Sequence, residues 1–270
     1  VTWSTKMGDE SANPQSQPRN IVVTGASSGI GSVVAQALAA NGDRVAIGAR
    51  RGDRLDAVAT HIRESGGEVF AHALDVTSLE SIEAFFAAAQ ASLGAIDVVI
   101  NNAGLSIPAP VHESDPDCLR REIETNLIGP MLISRQVLPS MIERKTGDLV
   151  FVGSDNADNP RPQQAGYSAS KAGLKNFCRT LAMELEGTGV RVTHLRLGPT
   201  ESEFGLSWPH DRMVSVLENW APFGLTRHLN FMPASVVADA VIHALAAPRT
   251  SAFANIELQP MAPIQNDEAP

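Results

Sequence analysis

Tyr167 and Lys171 are the residues of this chain whose types and spacing could support proton transfer, since they stand four positions apart in the segment Tyr-Ser-Ala-Ser-Lys. On an α-helix that spacing places two side chains on the same face. A phenol with an ordinary pKa of about 10 is a poor acid or base at neutral pH. A neighbouring ammonium group favours the phenolate and lowers that pKa, which makes the proton available for transfer. The pair therefore predicts a proton donor, and the alternative is an ordinary pair on a helix surface.

Small polar residues follow two apolar segments that are typical of buried strands. Ser154 comes just after residues 149–152, and the run Asn101-Asn102-Ala103-Gly104 follows residues 96–100. Parallel α/β sheets place their ligands at the carboxyl ends of the strands. We therefore expect Ser154 to present its hydroxyl beside Tyr167 and to hold a substrate oxygen. The small residues of the other run would allow backbone to approach a cofactor.

Asn126 is a polar residue inside an apolar stretch, residues 116–144, that is typical of one long helix. If its amide is buried, it must be hydrogen-bonded. The residue therefore either serves an active site or is a satisfied amide of the core.

A glycine-rich turn follows the first apolar segment, residues 21–23, and consists of Thr24-Gly25-Ala26-Ser27-Ser28-Gly29-Ile30-Gly31. In this run Gly25 permits a tight turn, Gly29 lets backbone approach a pyrophosphate, and Gly31 lets a helix pack closely on the sheet. The helix that begins here offers free N–H groups to phosphates. The turn predicts a dinucleotide site, and the alternative is that these glycines serve loop geometry only.

The second predicted strand, residues 44–49, ends in Ala49-Arg50-Arg51. An acidic residue at this position would accept hydrogen bonds from the adenosine ribose of NAD. The forked donors of a guanidinium suit a 2′-phosphate instead. Arg50 and Arg51 thus favour NADP over NAD, unless both are solvated or paired with the nearby Asp53 and Asp56.

Short apolar segments alternate with helical ones along the chain, which predicts a parallel sheet covered on both faces. Right-handed crossovers then give an α/β, doubly wound, Rossmann-like fold in three α/β/α layers and a single domain. The predicted strands are residues 21–23, 44–49, 68–74, 96–100, 149–152, 190–195 and 254–258. The predicted helices are residues 30–40, 55–62, 79–93, 116–144, 165–185 and 235–246.

Composition excludes several classes of function. The net charge of −9 without a basic run argues against nucleic-acid binding. Two distant cysteines argue against a zinc or disulfide framework, so we expect no metal and a cytoplasmic location. No apolar stretch is long enough to span a membrane. Residues 1–19 are expected to form a flexible leader, residues 20–262 the domain, and residues 263–270 a flexible tail.

Together these motifs resemble the short-chain dehydrogenase/reductase family over residues 20–260 in type, order and spacing. The resemblance implies that Tyr167 is the proton donor and that Ser154 orients the substrate oxygen. It also implies that Lys171 binds the cofactor ribose and modifies the tyrosine pKa, while Asn126 holds a water linked to Lys171. Homodimers or homotetramers are expected from the same resemblance.

The resemblance extends to the remaining cofactor contacts. Asp75 and Val76 stand where the family contacts adenine, and Pro199, Thr200 and Ser202 stand beside the expected nicotinamide position. The chain departs mildly from the family there, because Leu197 replaces a usual proline and Ser202 a frequent threonine. The arginines after the second strand resemble those of NADP-preferring members.

Residues 200–233 are expected to form a lid over the substrate. Their aromatic and large apolar side chains predict an apolar wall, since ligand sites are mostly hydrophobic: Phe204, Leu206, Trp208, Met213, Trp220 and Phe223. Packing of a helical subdomain or a subunit contact would explain the same residues. Four basic side chains could meet a substrate carboxylate or stay solvated: His210, Arg212, Arg227 and His228.

The resemblance implies an NADP(H)-dependent enzyme that interconverts a carbonyl and a secondary alcohol on a small, apolar substrate. An NAD-linked alcohol or hydroxysteroid-type dehydrogenase is the alternative if Arg50 and Arg51 are merely exposed. Epimerases and dehydratases of related fold usually have longer chains. A non-catalytic dinucleotide-binding regulator should have lost catalytic positions, whereas all of them are present here.

Overall fold

Seven parallel strands form one sheet in the part of the chain described by a computed structural model, residues 18–204, 208–225 and 230–262. The strands are β1 Asn20–Thr24, β2 Arg44–Ala49, β3 Val69–Ala73, β4 Val98–Asn101, β5 Gly147–Val152, β6 Val190–Leu197 and β7 Asn255–Leu258. Most of the predicted leader and all of the predicted tail lie outside the described residues. The doubly wound α/β prediction is confirmed.

The order of the strands is β3-β2-β1-β4-β5-β6-β7, and every neighbouring pair is parallel. The chain moves outward in one direction from β1 to β3 and then returns to place β4 on the other side of β1. Such a reversal opens a crevice at the carboxyl ends of β1 and β4, where doubly wound sheets bind ligands. The topology therefore predicts that the candidate site lies at the carboxyl ends of the strands, beside β1 and β4.

Helices cover both faces of the sheet. They are α1 Gly29–Ala40, α2 Gly52–Glu64, α3 Leu79–Leu93, α4 Pro116–Ile123, α5 Gly129–Glu143, α6 Ala165–Glu184, α7 His210–Trp220 and α8 Ala234–Leu245. One core joins α1, α2 and α8 to side chains such as Val23 of β1, and the other joins α3, α5 and α6 to side chains such as Val22. Successive β1 residues thus enter opposite cores, as the pleat requires.

Two predicted segments differ from the structure, although the strands begin and end within two residues of the predicted positions. Residues 116–144 are not one regular helix, because a π-helical turn at Glu124–Ile128 separates α4 from α5. A π-turn is frequent at functional sites, and this one contains Asn126. The lid segment, which showed no clear periodicity, contains α7.

Thr24, the last residue of β1, joins the two loops that border the crevice. Its buried hydroxyl oxygen accepts hydrogen bonds from the backbone N–H groups of Asn102 at 3.1 Å and Ala103 at 3.0 Å. The side-chain amide of Asn102 donates a hydrogen bond to the Thr24 carbonyl at 2.9 Å. The loop after β4 is therefore held against the glycine turn by side chains as well as by the sheet.

In the described part of the chain, no helix is both long enough and apolar enough to cross a membrane. The same residues contain no group of three or more His, Cys, Asp or Glu side chains that could hold a metal ion.

We expect Thr24→Val to lower the free energy of unfolding by about 2 kcal/mol, because two partly buried N–H groups would lose their acceptor. Thr24→Ser keeps the oxygen and should cost about 1 kcal/mol or less, since only a methyl group is lost. Urea denaturation of the two variants measures the difference. Equal losses would contradict a role for the hydroxyl.

Candidate active site

A cleft of about 790 Å³ runs along the carboxyl ends of the strands and gathers almost all of the predicted site residues. Those that border it are Gly25, Ser27, Ser28, Gly29, Ile30, Arg50, Arg51, Asp75, Val76, Asn102, Ala103, Gly104, Ser154, Tyr167, Lys171, Pro199, Thr200 and Ser202. Gly31 and Asn126 do not border it. The volume lies within the range of small-molecule and cofactor sites.

The glycine turn leads from β1 into α1 and exposes backbone to the cleft. Gly25 has a φ of 66°, and a Cβ atom at that position would stand 2.7 Å from the Cα of Ala103. A Cβ on Gly31 would stand 2.4 Å from the Asn102 side-chain nitrogen, so Gly31 permits the close packing behind the turn. Ser28 precedes α1 without capping it through its side chain. The first N–H groups of α1 are thus suited to phosphate oxygens.

Arg51 is the basic residue that the structure fixes against the glycine turn. Its guanidinium donates to the hydroxyl of Ser27 at 3.0 Å and to that of Ser28 at 2.6 Å. Among the described residues its ion-pair partner is Glu203, at 3.2 Å, rather than Asp53 or Asp56. Two hydroxyls, a guanidinium and the start of α1 therefore make a cationic corner at one end of the cleft.

Arg50 is exposed, and its positive charge acts on the Asp75 carboxyl. Burial raises the pKa of the Asp75 carboxyl, but hydrogen bonds from Thr77 and the charge of Arg50 outweigh it, so that pKa lies below its ordinary value. Sequence reasoning treated the two arginines alike, whereas the structure gives each a different neighbour. It also overlooked Arg54, which lies one helical turn beyond Arg51.

Tyr167, Ser154 and Lys171 meet near the middle of the cleft. The Tyr167 hydroxyl is hydrogen-bonded with that of Ser154, and the Lys171 amine lies 5.8 Å from the centre of the tyrosine ring. Lys171 donates to the Val152 carbonyl at 2.8 Å. Both titratable side chains are buried, with exposed fractions of 8% for Tyr167 and 4% for Lys171.

Burial dominates the acid–base properties of this group. It raises the pKa of Tyr167 to about 12; the hydrogen bond with Ser154 lowers that pKa and the negative charge of Asp155 raises it. Burial also lowers the pKa of Lys171 to about 8. Burial thus outweighs the charges and hydrogen bond that act on Tyr167, and the expected lowering of its pKa by Lys171 stays a prediction.

Asn126 is fully buried behind the cleft in the π-helical turn. Its amide donates to the Leu105 carbonyl at 2.8 Å and to the Ser170 hydroxyl at 3.0 Å, and its oxygen accepts from the Leu105 N–H at 2.9 Å. The buried amide is thus hydrogen-bonded through both its nitrogen and its oxygen, and its role in holding a water linked to Lys171 stays a prediction. It clamps the loop after β4 next to Gly104, where a Cβ would stand 3.7 Å from the Lys171 amine.

An ion pair of Asp155 and Arg161 also borders the cleft and was not singled out from the sequence. Their two hydrogen bonds measure 2.9 and 2.8 Å, and both side chains are about 90% buried. The Arg161 guanidinium lies 5.5 Å from the centre of the Trp220 indole ring. The position of Asp155 directly after Ser154 was a signal for its site role, whereas nothing local marks Arg161.

A buried hydrogen-bond network also borders the cleft on the side of this ion pair. Asn156 donates to the Gln164 side chain at 2.7 Å, and Gln164 donates to the Ser106 hydroxyl at 3.2 Å. Ser106 is hydrogen-bonded in turn to Glu122, whose pKa is raised by burial despite that bond. The network holds α4, α6 and the loop after β4 in one arrangement, and it was invisible in the sequence because its members are scattered.

The described part of the predicted lid covers the middle of the cleft with aromatic side chains. The ring of Phe204 lies 5.3 Å from that of Tyr167. Trp208 donates to the Ser106 carbonyl at 3.1 Å, and Trp220 donates to the Pro162 carbonyl at 2.9 Å. Met213 also borders the cleft. These contacts agree with an apolar wall.

Other lid residues lie apart from that wall. Phe223 is 69% exposed and His210 is also exposed, while Arg212 lies 3.7 Å from Glu113. Leu206, Arg227 and His228 lie outside the described residues.

The chain is similar in sequence to known dehydrogenases. The profile of the family described as short chain dehydrogenase matches residues 19–212. A short chain dehydrogenase of Pseudocercospora fijiensis is 40% identical over 193 residues, which cover 71% of this chain and 62% of that relative. An NADP-dependent 3-hydroxy acid dehydrogenase of Salmonella typhi is 36% identical over 179 residues, which cover 66% of this chain and 71% of that protein. The chain thus spans less than two thirds of the first relative's length.

A solved structure extends the similarity to the fold. The alcohol dehydrogenase from the archaeon Thermococcus sibiricus, complexed with 5-hydroxy-NADP, is 30% identical with a TM-score of 0.77. The aligned region covers 93% of this chain and 99% of that one. With the family profile matched over most of its length, this chain belongs to the short-chain dehydrogenase/reductase family, as its motifs predicted.

Proposed function

We propose that this protein interconverts a carbonyl and a secondary alcohol with NADP(H), using Tyr167 as the proton donor and acceptor. The observation that carries the proposal is the buried, hydrogen-bonded pair of Ser154 and Tyr167 beside the Lys171 amine, in a cleft with a cationic corner. Family membership supports oxidoreductase chemistry. The NADP named for two relatives supports the choice of cofactor.

The cleft has the features that a dinucleotide requires. Gly25 leaves room for Ala103 of the next loop, and Ser28 does not cap α1 through its side chain, so the first N–H groups of α1 can donate to a pyrophosphate. In this proposal the turn from Gly25 to Gly31 holds the pyrophosphate, Arg51 the 2′-phosphate, and Lys171 a ribose hydroxyl. The adenine would lie against Asp75 and Val76. The nicotinamide would lie against residues 102–104 and against Pro199, Thr200 and Ser202. When bound, the nicotinamide supplies or accepts the hydride.

Ser154 and Tyr167 would hold the substrate oxygen between their hydroxyls. Because burial keeps the Tyr167 pKa high, the proton stays on the phenol until the substrate oxygen becomes basic enough to take it. Lys171 is charged below a pH of about 8 and would then stabilise the phenolate left behind. Hydride acceptance by the carbonyl and proton donation by the tyrosine would thus be coupled.

The wall around the hydroxyl pair favours a neutral, apolar substrate. Phe204, Trp208 and Trp220 supply aromatic surface. Arg161 is already neutralised by Asp155, so a substrate carboxylate would have to break a buried ion pair to reach it. Small apolar ketones and aldehydes are therefore the compounds to test first, with residues 200–233 acting as the lid.

The cytoplasmic location, the homodimer or homotetramer, and the domain limits of 20–262 stay predictions. They rest on composition and on the family resemblance.

We expect Tyr167→Phe to lower kcat by about a thousandfold, which is the typical contribution of a positioned acid–base group. Steady-state reduction of a panel of apolar ketones with NADPH measures the loss. Quenching of protein fluorescence should meanwhile give an unchanged Kd for NADPH, because the ring remains in place. Retained turnover would rule out Tyr167 as the proton donor.

Arg51→Ala should weaken NADPH binding about tenfold or more and leave NADH binding within a factor of two, because only the 2′-phosphate needs the charge. Arg63→Ala removes an exposed charge at the other end of α2 and serves as the matched control. Fluorescence titration with both dinucleotides measures the ratio. Equal losses for NADPH and NADH would contradict the phosphate role and favour the NAD-linked alternative.

The low pKa of Lys171 predicts a pH dependence of stability. The unfolded chain holds this proton up to its ordinary pKa of 10.5, whereas the folded protein releases it above about 8. Unfolding therefore takes up a proton at this group between these limits, so the wild type should gain stability relative to Lys171→Met as the pH rises from 8 to 10. The gain should be on the order of 2 kcal/mol relative to Lys171→Met.

Urea denaturation across this pH range measures the gain, and Lys175→Met, which removes a less buried lysine of the same helix, should follow the wild type. Parallel curves for the wild type and Lys171→Met would contradict a depressed pKa.

A further inference from the structure

A carboxylate from the lid occupies the cationic corner of the cleft. Glu203 lies 2.7 Å from the Arg54 guanidinium and 3.2 Å from that of Arg51. A hydrogen bond from Ser28 and these two charges hold the Glu203 pKa below its ordinary value. Glu203 belongs to the segment after β6, whereas its partners belong to the glycine turn and to α2. The contact therefore joins the lid to the proposed adenosine end of the cleft.

This corner has the chemistry of a site for a doubly charged anion. Two forked guanidinium groups and a hydroxyl converge on the Glu203 oxygens. A phosphate monoester uses the same donors, and arginine suits both anions. Two anions in this space would repel each other, so the carboxylate and a phosphate cannot both keep these partners.

The residues beside Glu203 cover the cofactor turn and the catalytic ring. A Cβ on Gly29 would stand 3.3 Å from the Cβ of Ser202, so the segment packs beside Gly29 of the glycine turn. Phe204 lies over Tyr167 at 5.3 Å between ring centres. The ion pairs of Glu203 thus hold a short segment, residues 202–204, across both parts of the cleft.

We propose that Glu203 is an internal competitor of the 2′-phosphate, so that binding of NADP(H) expels its carboxylate from Arg51 and Arg54 and frees Phe204 from Tyr167. This inference rests on the proposed function and adds a residue that sets cofactor preference. NADH has a hydroxyl in place of the 2′-phosphate, so it can enter without taking the arginines from Glu203. Binding of the 2′-phosphate would therefore change the substrate end of the cleft, because displacement of Glu203 releases Phe204 from Tyr167.

Glu203→Gln tests the competition, because it removes the negative charge and keeps the shape. The variant should bind NADPH about three- to tenfold more tightly, since two half-exposed ion pairs are individually weak. Its Kd for NADH should change less than twofold. Glu201→Gln is the matched control, because Glu201 is an exposed carboxylate two residues away that forms no ion pair with the described residues.

Equal tightening of NADPH and NADH would overturn the proposal, because Glu203 would then only hold the segment closed. Weaker NADH binding would also overturn it, because Glu203 would then be a ligand of the ribose hydroxyls. If wild-type protein binds NADPH in an Arg51-dependent manner and Glu203→Gln changes nothing, only this inference fails. If the wild type binds neither dinucleotide, the proposed function itself fails.

A second measurement follows the release of the segment. Adenosine 2′,5′-bisphosphate and adenosine 5′-monophosphate differ only in the 2′-phosphate and contain no nicotinamide. The bisphosphate should speed amide hydrogen exchange in residues 201–204 of the wild type, and the monophosphate should not. Equal exchange with both nucleotides would contradict coupling between the 2′-phosphate and the segment that carries Phe204.

Discussion

The parallel pairing of β1 with β4 is the interaction on which both halves of the cleft depend. It brings the start of the glycine turn beside residues 102–104, although the two segments are far apart in the chain. Hydrogen bonds between Thr24 and Asn102 then fix the register at the very edge where ligands enter. A slip of one residue would turn Val99 into the opposite core and separate these loops. Few alternative pairings of the sheet are therefore compatible with the site.

Burial of Tyr167 and Lys171 determines their acid–base properties. Lys171 and Tyr167 are held in a low-dielectric environment that opposes the charged form of each. Several polar groups around them are hydrogen-bonded to one another, such as Asn126 with Leu105 and Asp155 with Arg161. Such a network keeps its geometry because each member would otherwise be an unpaired polar group in the core. The candidate site is thus held in place by hydrogen bonds between protein groups.

Local patterns in the sequence predicted the sheet, the glycine turn and the Tyr167 and Lys171 pair, because each depends on residues close together in the chain. The direction of the tyrosine pKa could not be predicted, since it depends on burial created by packing from several elements. The partnership of Arg51 with Glu203 joins residues 152 positions apart, and no local signal marks it. The π-helical turn at Asn126 interrupts a run whose apolar pattern is continuous. Long-range charge pairs and irregular backbone could therefore not be predicted from local patterns in the sequence.

Two of the tryptophans that absorb and emit ultraviolet light lie in the described part of the lid, where their indole groups hold it against the cleft. Trp208 and Trp220 each donate a hydrogen bond across the cleft, to Ser106 and Pro162. The remaining tryptophan, Trp3, lies outside the described residues, and the sole tyrosine is the proposed proton donor. The tryptophan and tyrosine side chains of the described residues are thus confined to the cleft and its cover, while the strands contribute only the weakly absorbing Phe70 and Phe151. The fluorescence of Trp208 and Trp220 consequently reports on the position of the cover, and circular dichroism is needed to follow the sheet and its helices.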